Sequence, residues 1–144
     1  MFNVLSGLQE GSHSVMVTSR SGPAGLVKGT AVATTSTGNT IAKADNSTVG
    51  LGAAVEYVFE DLLTQTSGKY TVISGIFEAE TDQVSGTPAV GTFLKPGTSG
   101  TAGLLVAATL SSDASLVCAK VVDSYVVKND AQAASVTAYR IRTL

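Results

Sequence analysis

Along the chain, short runs of alternating or β-branched residues recur about every ten positions, separated by clusters of Gly, Ser, Thr, Asn and Pro. Strands of a two-layer or barrel fold need this period, because successive side chains point to opposite faces and each return needs a turn. The first run is His13-Ser14-Val15-Met16-Val17-Thr18-Ser19-Arg20, closed by Ser21-Gly22-Pro23-Ala24-Gly25. A strand from Leu26 to Thr34 follows, then a tight turn at Thr37-Gly38-Asn39, where Gly and Asn tolerate positive φ. Thr40-Ile41-Ala42-Lys43-Ala44 returns as a short strand. Gly75 inside Ser74–Glu80 predicts a bulge. Val90–Lys95 and Gly103–Leu110 are further strands, and the apolar run Leu116–Lys128 predicts a strand through the domain centre. In Val136–Arg142, Tyr139 and Ile141 alternate with Arg140 and Arg142, which predicts a half-buried strand with both Arg outward.

The segment 53–64 supports two readings. Val55, Val58, Phe59 and Leu62 fall at helical spacing, with Glu56, Glu60 and Asp61 on the wet face. The rival pairs Val55-Glu56-Tyr57-Val58-Phe59 with Tyr70-Thr71-Val72-Ile73 through a loop at Thr66-Ser67-Gly68-Lys69. The hairpin is preferred, because a strong strand follows the loop and Gly50 and Gly52 weaken a helix start. A weak internal echo accompanies it: Gly29-Thr30-Ala31-Val32 and Gly91-Thr92-Phe93-Leu94 each open onto a Gly turn and a return strand.

Composition narrows the class. The 144 residues suffice for one domain with its own core. The apolar share, rich in Val and Ala, suits thin sheet packing better than a helical bundle. A net charge of −2 with nine scattered basic residues gives no electrostatic case for nucleic acid. The longest apolar stretch, Leu104–Ala108, is too short to span a bilayer, and the first residues lack the basic and apolar regions of a secretory signal. These features predict a protein kept in a cytoplasm or in a particle assembled there. Cys118, between Val117 and Ala119, reads as a small core residue.

Candidate chemistry is thin. Lys28-Gly29-Thr30 has the wrong order for a phosphate loop, and Gly50-Leu51-Gly52 lacks the third glycine of a dinucleotide turn. His13, the only histidine, is a poorly placed base near the N-terminus. Asn46-Ser47-Thr48 matches a glycosylation sequon but lacks a secretory context. Glu78, Glu80 and Asp82 alternate and should project to one side of a strand, as a solvated or partner-facing edge more than as a cation site. With no Trp and eight Phe and Tyr in all, a sugar-processing cleft is not expected. No catalytic residue, cofactor or metal is assigned, and the chain reads as a non-enzyme.

The remaining feature is the N-terminal dozen, with Phe2, Val4, Leu5 and Leu8 ahead of Gly11. Residues 1–12 are expected to form an arm that docks on a neighbour or tucks into its own core, and 13–144 a single antiparallel β domain, barrel or sandwich. An apolar, low-charge chain should also form a homo-oligomer, a dimer or trimer.

The chain resembles the decoration (cement) proteins of tailed-bacteriophage capsids. The likeness lies in the short all-β size, the Ser/Thr/Ala/Gly-rich composition and three segments: Ala24–Ala33, Gly38–Ala44 and Gly91–Lys95. The resemblance implies a β-barrel or β-tulip domain, a place on the virion surface after assembly in the host cytoplasm, and the major capsid protein as partner. It favours a trimer slightly and carries no catalytic residues. Within it, Phe2, Val4, Leu5 and Leu8 are assigned as capsid-binding from their position and apolarity. The alternative function is a receptor- or carbohydrate-binding β module of a phage fibre or adhesin, presenting the hydroxyl-rich loops 34–40 and 97–101.

Overall fold

A computed structural model describes residues 1–6, 15–46, 55–60 and 68–144. The strands are β1 (Phe2–Ser6), β2 (Val15–Ser21), β3 (Ala31–Thr34), β4 (Ile41–Lys43), β5 (Val55–Glu60) and β6 (Lys69–Gly75). They continue as β7 (Glu78–Thr81), β8 (Phe93–Pro96), β9 (Leu105–Ala107), β10 (Ala119–Lys128) and β11 (Ser135–Thr143). Among the described residues a four-residue helix, α1 (Leu110–Asp113), and two short 3-10 turns, Ser99–Thr101 and Ala114–Leu116, interrupt them. Strands make up 52% and helix 9%, far below the helical third of an average domain, so the fold is all-β as expected.

All pairings within the two sheets are antiparallel. The larger sheet has the order β1-β7-β11-β10-β8-β9 and the smaller β2-β6-β5-β3-β4. Neither closes into a barrel, so the fold is the sandwich. The five-stranded sheet does curl, until Ser21 at the end of β2 meets Thr40, the residue before β4, at a single parallel bridge.

Period-two alternation gives the five-stranded sheet two apolar faces. Ala31, Ala33, Tyr57 and Ile73 face the other sheet and join Phe2, Phe77, Ala79, Leu94, Leu105, Val121, Tyr139 and Ile141 in the main core. Val32, Val58, Tyr70 and Val72 point the other way and enclose Leu26 and Ile41 in a second, smaller core. The expected strand from Leu26 is therefore only Ala31–Thr34. Gly25 and Gly29 hold φ of 89° and 86°, which breaks the extended run and turns Leu26 inward as a plug. The Tyr70 hydroxyl secures this loop, donating to the Pro23 carbonyl at 2.7 Å and accepting from the Leu26 N–H at 3.2 Å.

The strand pairing of the hairpin reading holds, with Tyr57↔Ile73 and Val58↔Val72 in register, while Asp61, Leu62 and loop residues Thr66 and Ser67 lie outside the described residues and Lys69 belongs to β6. The echoed segments likewise form two hairpins, β3–β4 and β8–β9. They meet at Gly103, whose carbonyl accepts from the Ala31 N–H and whose N–H donates to the Ala44 carbonyl. Gly103 has φ +84°, and an added Cβ would lie 3.0 Å from Thr30 and 3.1 Å from Lys43, so this stitch between sheets requires glycine.

Three expectations are corrected. Gly75 ends β6 at φ 106° and passes the chain to the opposite sheet, so it is a crossover and not a bulge. Register shifts fall instead in β1 between Val4 and Ser6, in β5 between Val58 and Glu60, and in β10 between Val121 and Asp123. Gly103–Leu110 yields a strand of only three residues, because the chain turns into α1 at Leu110. Only the first part of Leu116–Lys128 crosses the core: Cys118, Ala119 and Val121 are buried, whereas Val126 is 71% exposed.

Tyr57 carries an internal tension. Its ring stacks on Phe2 at 5.9 Å and meets Phe77 edge-on at 5.8 Å, yet among the described residues its buried hydroxyl has no full hydrogen bond, the Cys118 thiol being its polar neighbour. Burial raises the hydroxyl pKa well above the ordinary tyrosine value, with the neighbouring Cys118 thiol adding to the shift. A buried unpaired donor costs about 1–3 kcal/mol. Tyr57→Phe should therefore leave stability unchanged or raise it by about 1 kcal/mol in urea unfolding, where Tyr→Phe at a bonded hydroxyl would lower it.

Candidate interaction surface

The sequence-assigned residues of the first segment divide by strand alternation. β1 is an edge strand paired with β7, in the register Phe2↔Thr81, Asn3↔Glu80 and Val4↔Ala79. Phe2 is 3% exposed between Tyr57 and Phe77, and Val4 packs against the same core. Both side chains thus pack into the chain's own core, one of the two placements open to this segment from its sequence. Leu5 points outward at 47% exposure, and Leu8 lies outside the described residues. The arm is thus, over Phe2–Ser6, a strand of the sandwich.

The outer face of the six-stranded sheet carries a connected polar network. Arg140 and Arg142 face outward as expected, opposite Glu80 and Glu78 in register. Glu78 accepts two N–H bonds from each: Arg140 Nε at 2.8 Å and Nη2 on one oxygen, Arg142 Nε at 3.1 Å and Nη2 on the other. These bonds hold the Glu78 carboxyl below its usual range, Arg142 contributing most. Glu80 accepts from Asn3 Nδ2 at 3.2 Å and from the Tyr125 hydroxyl at 2.6 Å. Desolvation, then the bond to Glu80, pushes the Tyr125 pKa up to about 12. Lys120 sits over the Phe93 ring at 5.3 Å. Asp82, expected on the same side, lies past the end of β7, with its Oδ1 2.9 Å from the Met1 nitrogen and 2.8 Å from Gln83 Nε2.

These groups are matched to one another and poorly suited to proton transfer. A carboxylate with a lowered pKa is a weak base, and a phenol near 12 stays protonated at neutral pH. Cys118 is buried, and desolvation pushes its thiol up to about 11, which leaves it inert as a nucleophile. Among the described residues no three His, Cys, Asp or Glu are placed to hold a metal ion. His13 lies outside them.

Because the Glu78 pKa is depressed in the folded state, its contribution is full above the ordinary carboxylate pKa of about 4.3 and fades as pH falls through the folded value. Glu78→Gln should lower Tm at pH 7, and the gap to the parent should close on acidification below about pH 4. A gap that stays constant with pH would mean that the Arg fork contributes nothing through charge.

Two features were not legible in sequence. A cleft of about 340 Å³ forms where Met1, Val27, Lys28, Asp82, Gln83 and the turn Asn129–Ala131 converge. Its lining comes from four separated stretches, so no local pattern announces it. The second is a ribbon. β7 pairs with β11 only over Tyr139–Arg142 and β8 with β10 only at Ala119 and Lys120, whereas β10 and β11 stay paired as far as Lys128↔Ser135. Among the described residues, 123–138 are therefore a two-stranded ribbon without a third strand, its turn fixed by the Asn129 side chain accepting from the Ala133 and Ala134 N–H groups. A bare two-stranded hairpin is marginal in water, so its order rests on the sandwich at its base.

The fold and surface define an open two-sheet β-sandwich with a polar outer face and a ribbon at one end. Compared with known proteins, the chain matches no family model, no curated protein and no solved structure.

Proposed function

We propose that the protein is a virion structural protein, a decoration protein that binds the outer surface of a phage capsid and clamps neighbouring coat subunits. The observation that carries this reading is the β10–β11 ribbon, which extends past its supporting strands and exposes Val126 on a weakly charged surface. Such an element reaches a neighbour without disturbing the sandwich that bears it. Leu5 on β1 is a second contact. Many weak contacts of this kind add through multivalency, so modest affinity at one site gives large stabilisation of a shell. The glycan-binding alternative has less support, since none of the eight aromatic rings is fully exposed for stacking on a sugar.

The test compares shells saturated with the protein, shells lacking it and shells given Val126→Asp. The intact protein should raise the thermal rupture threshold, and the ribbon variant should bind and protect less. Equal thresholds at full occupancy of the intact protein would end the clamp reading, and a saturable signal on a glycan array would favour the alternative.

A further inference from the structure

Among the described residues the sandwich has four edge strands, and three of them are protected. β4 and β9 are only three residues long, β4 carries Lys43, and β1 is broken by a bulge between Val4 and Ser6. Short strands, lysines and bulges are the usual devices against edge-to-edge pairing. β2 has none of them. It runs for seven residues in unbroken register with β6, without Pro, Lys or a bulge, and exposes Met16 at 64% and Val17 at 49%.

The phase of its ladder is fixed by its last residues. Gly22 donates to the Gly68 carbonyl on the β6 side, whereas Ser21 donates to Asn39 on the other side. Alternation then turns the backbone groups of Thr18 and Arg20 to β6 and those of Val17 and Ser19 to the open edge. Among the described residues no backbone group meets the outward N–H and C=O of Val17 and Ser19.

We infer that this edge pairs with the β2 edge of a second copy of the chain, antiparallel about a two-fold axis at Val17. The edge is complementary to itself. In that register Val17 faces its counterpart Val17, Met16 lies against Thr18, and Val15 against Ser19, so outward donors meet outward acceptors. No charge falls between positions 15 and 19, and the adjoining Arg20 is already held by Glu56 and Asn39, so like charges do not oppose each other. Two five-stranded sheets become one of ten. A two-fold interface of this kind closes at the dimer. The inference stands apart from the capsid reading, because it is measured on the protein alone.

The experiment is sedimentation of the full chain, with Ser19→Pro and Val17→Lys alongside. Proline at 19 removes an outward N–H and leaves the β6 ladder its donors, while lysine at 17 places two charges on the axis. The parent should sediment at twice the 14.5 kDa chain mass at micromolar concentrations. Both variants should fall two-fold in mass, with the far-UV circular dichroism of the parent. A parent that sediments as a monomer or trimer, or folded variants that stay dimeric, would overturn the pairing. If one variant loses its β spectrum, the other decides.

Discussion

Phe2→Ala should lower the unfolding free energy by about 3–5 kcal/mol, the usual cost of removing a buried phenylalanine from a packed core. The ring stacks on Tyr57 and meets Phe77 edge-on at 6.1 Å, so its loss leaves a cavity shared by both sheets. Leu5→Ala, three residues on and solvent-facing, should change stability by less than about 0.5 kcal/mol. Equilibrium urea unfolding of the two variants reads the contrast directly. Equal, small effects would mean that the segment is a loose arm after all. The same logic governs truncation: deleting Phe2–Leu8 removes β1 and its anchor, so weakened shell binding by that deletion would not by itself identify a contact site.

Glu56→Ala should cost about 2–4 kcal/mol, somewhat below or at the range for breaking a buried pair. Glu56 is 5% exposed on the smaller core's side of its sheet, with Arg20 Nε 3.3 Å from one oxygen and Arg20 Nη2 3.3 Å from the other. Arg20 also donates to Asn39 at 2.9 Å, which ties β2 to the turn before β4. Removing the carboxylate strands a half-buried guanidinium. The double variant Glu56→Ala with Arg20→Met should recover part of the loss, because neither charge is then left unpaired. A single-variant cost below about 1 kcal/mol would class the pair with ordinary surface bridges.

The fold class was legible in sequence because period-two alternation and turn clusters are local signals. Tyr139 and Ile141 inward, with Arg140 and Arg142 outward, followed from four consecutive residues. The second core was not legible: Leu26 looks like a strand residue, and only the two positive-φ glycines beside it and the distant Tyr70 hydroxyl make it a plug. The two readings of β1 could not be separated in sequence for a related reason. An apolar segment near a terminus looks the same whether it packs on its own sheet or on a neighbour, and what decides is β7, 77 residues away from Asn3 at Glu80. The ribbon escaped notice because Val121 and Val126 are chemically alike. Their difference lies in whether a third strand stands beside them.

The order of strands carries a kinetic consequence. The five-stranded sheet uses only β2 to β6, contiguous in the chain, whereas the six-stranded sheet joins β1 to β7–β11 across that whole stretch. During synthesis the smaller sheet can pair its strands while β1 still lacks a mate. Phe2 and Val4 then remain wet until β7 leaves the ribosome, and closing so long a loop is the slow, entropically costly event in such topologies. Of the two strands that pair in β1–β7, the one made earlier must wait for the one made later.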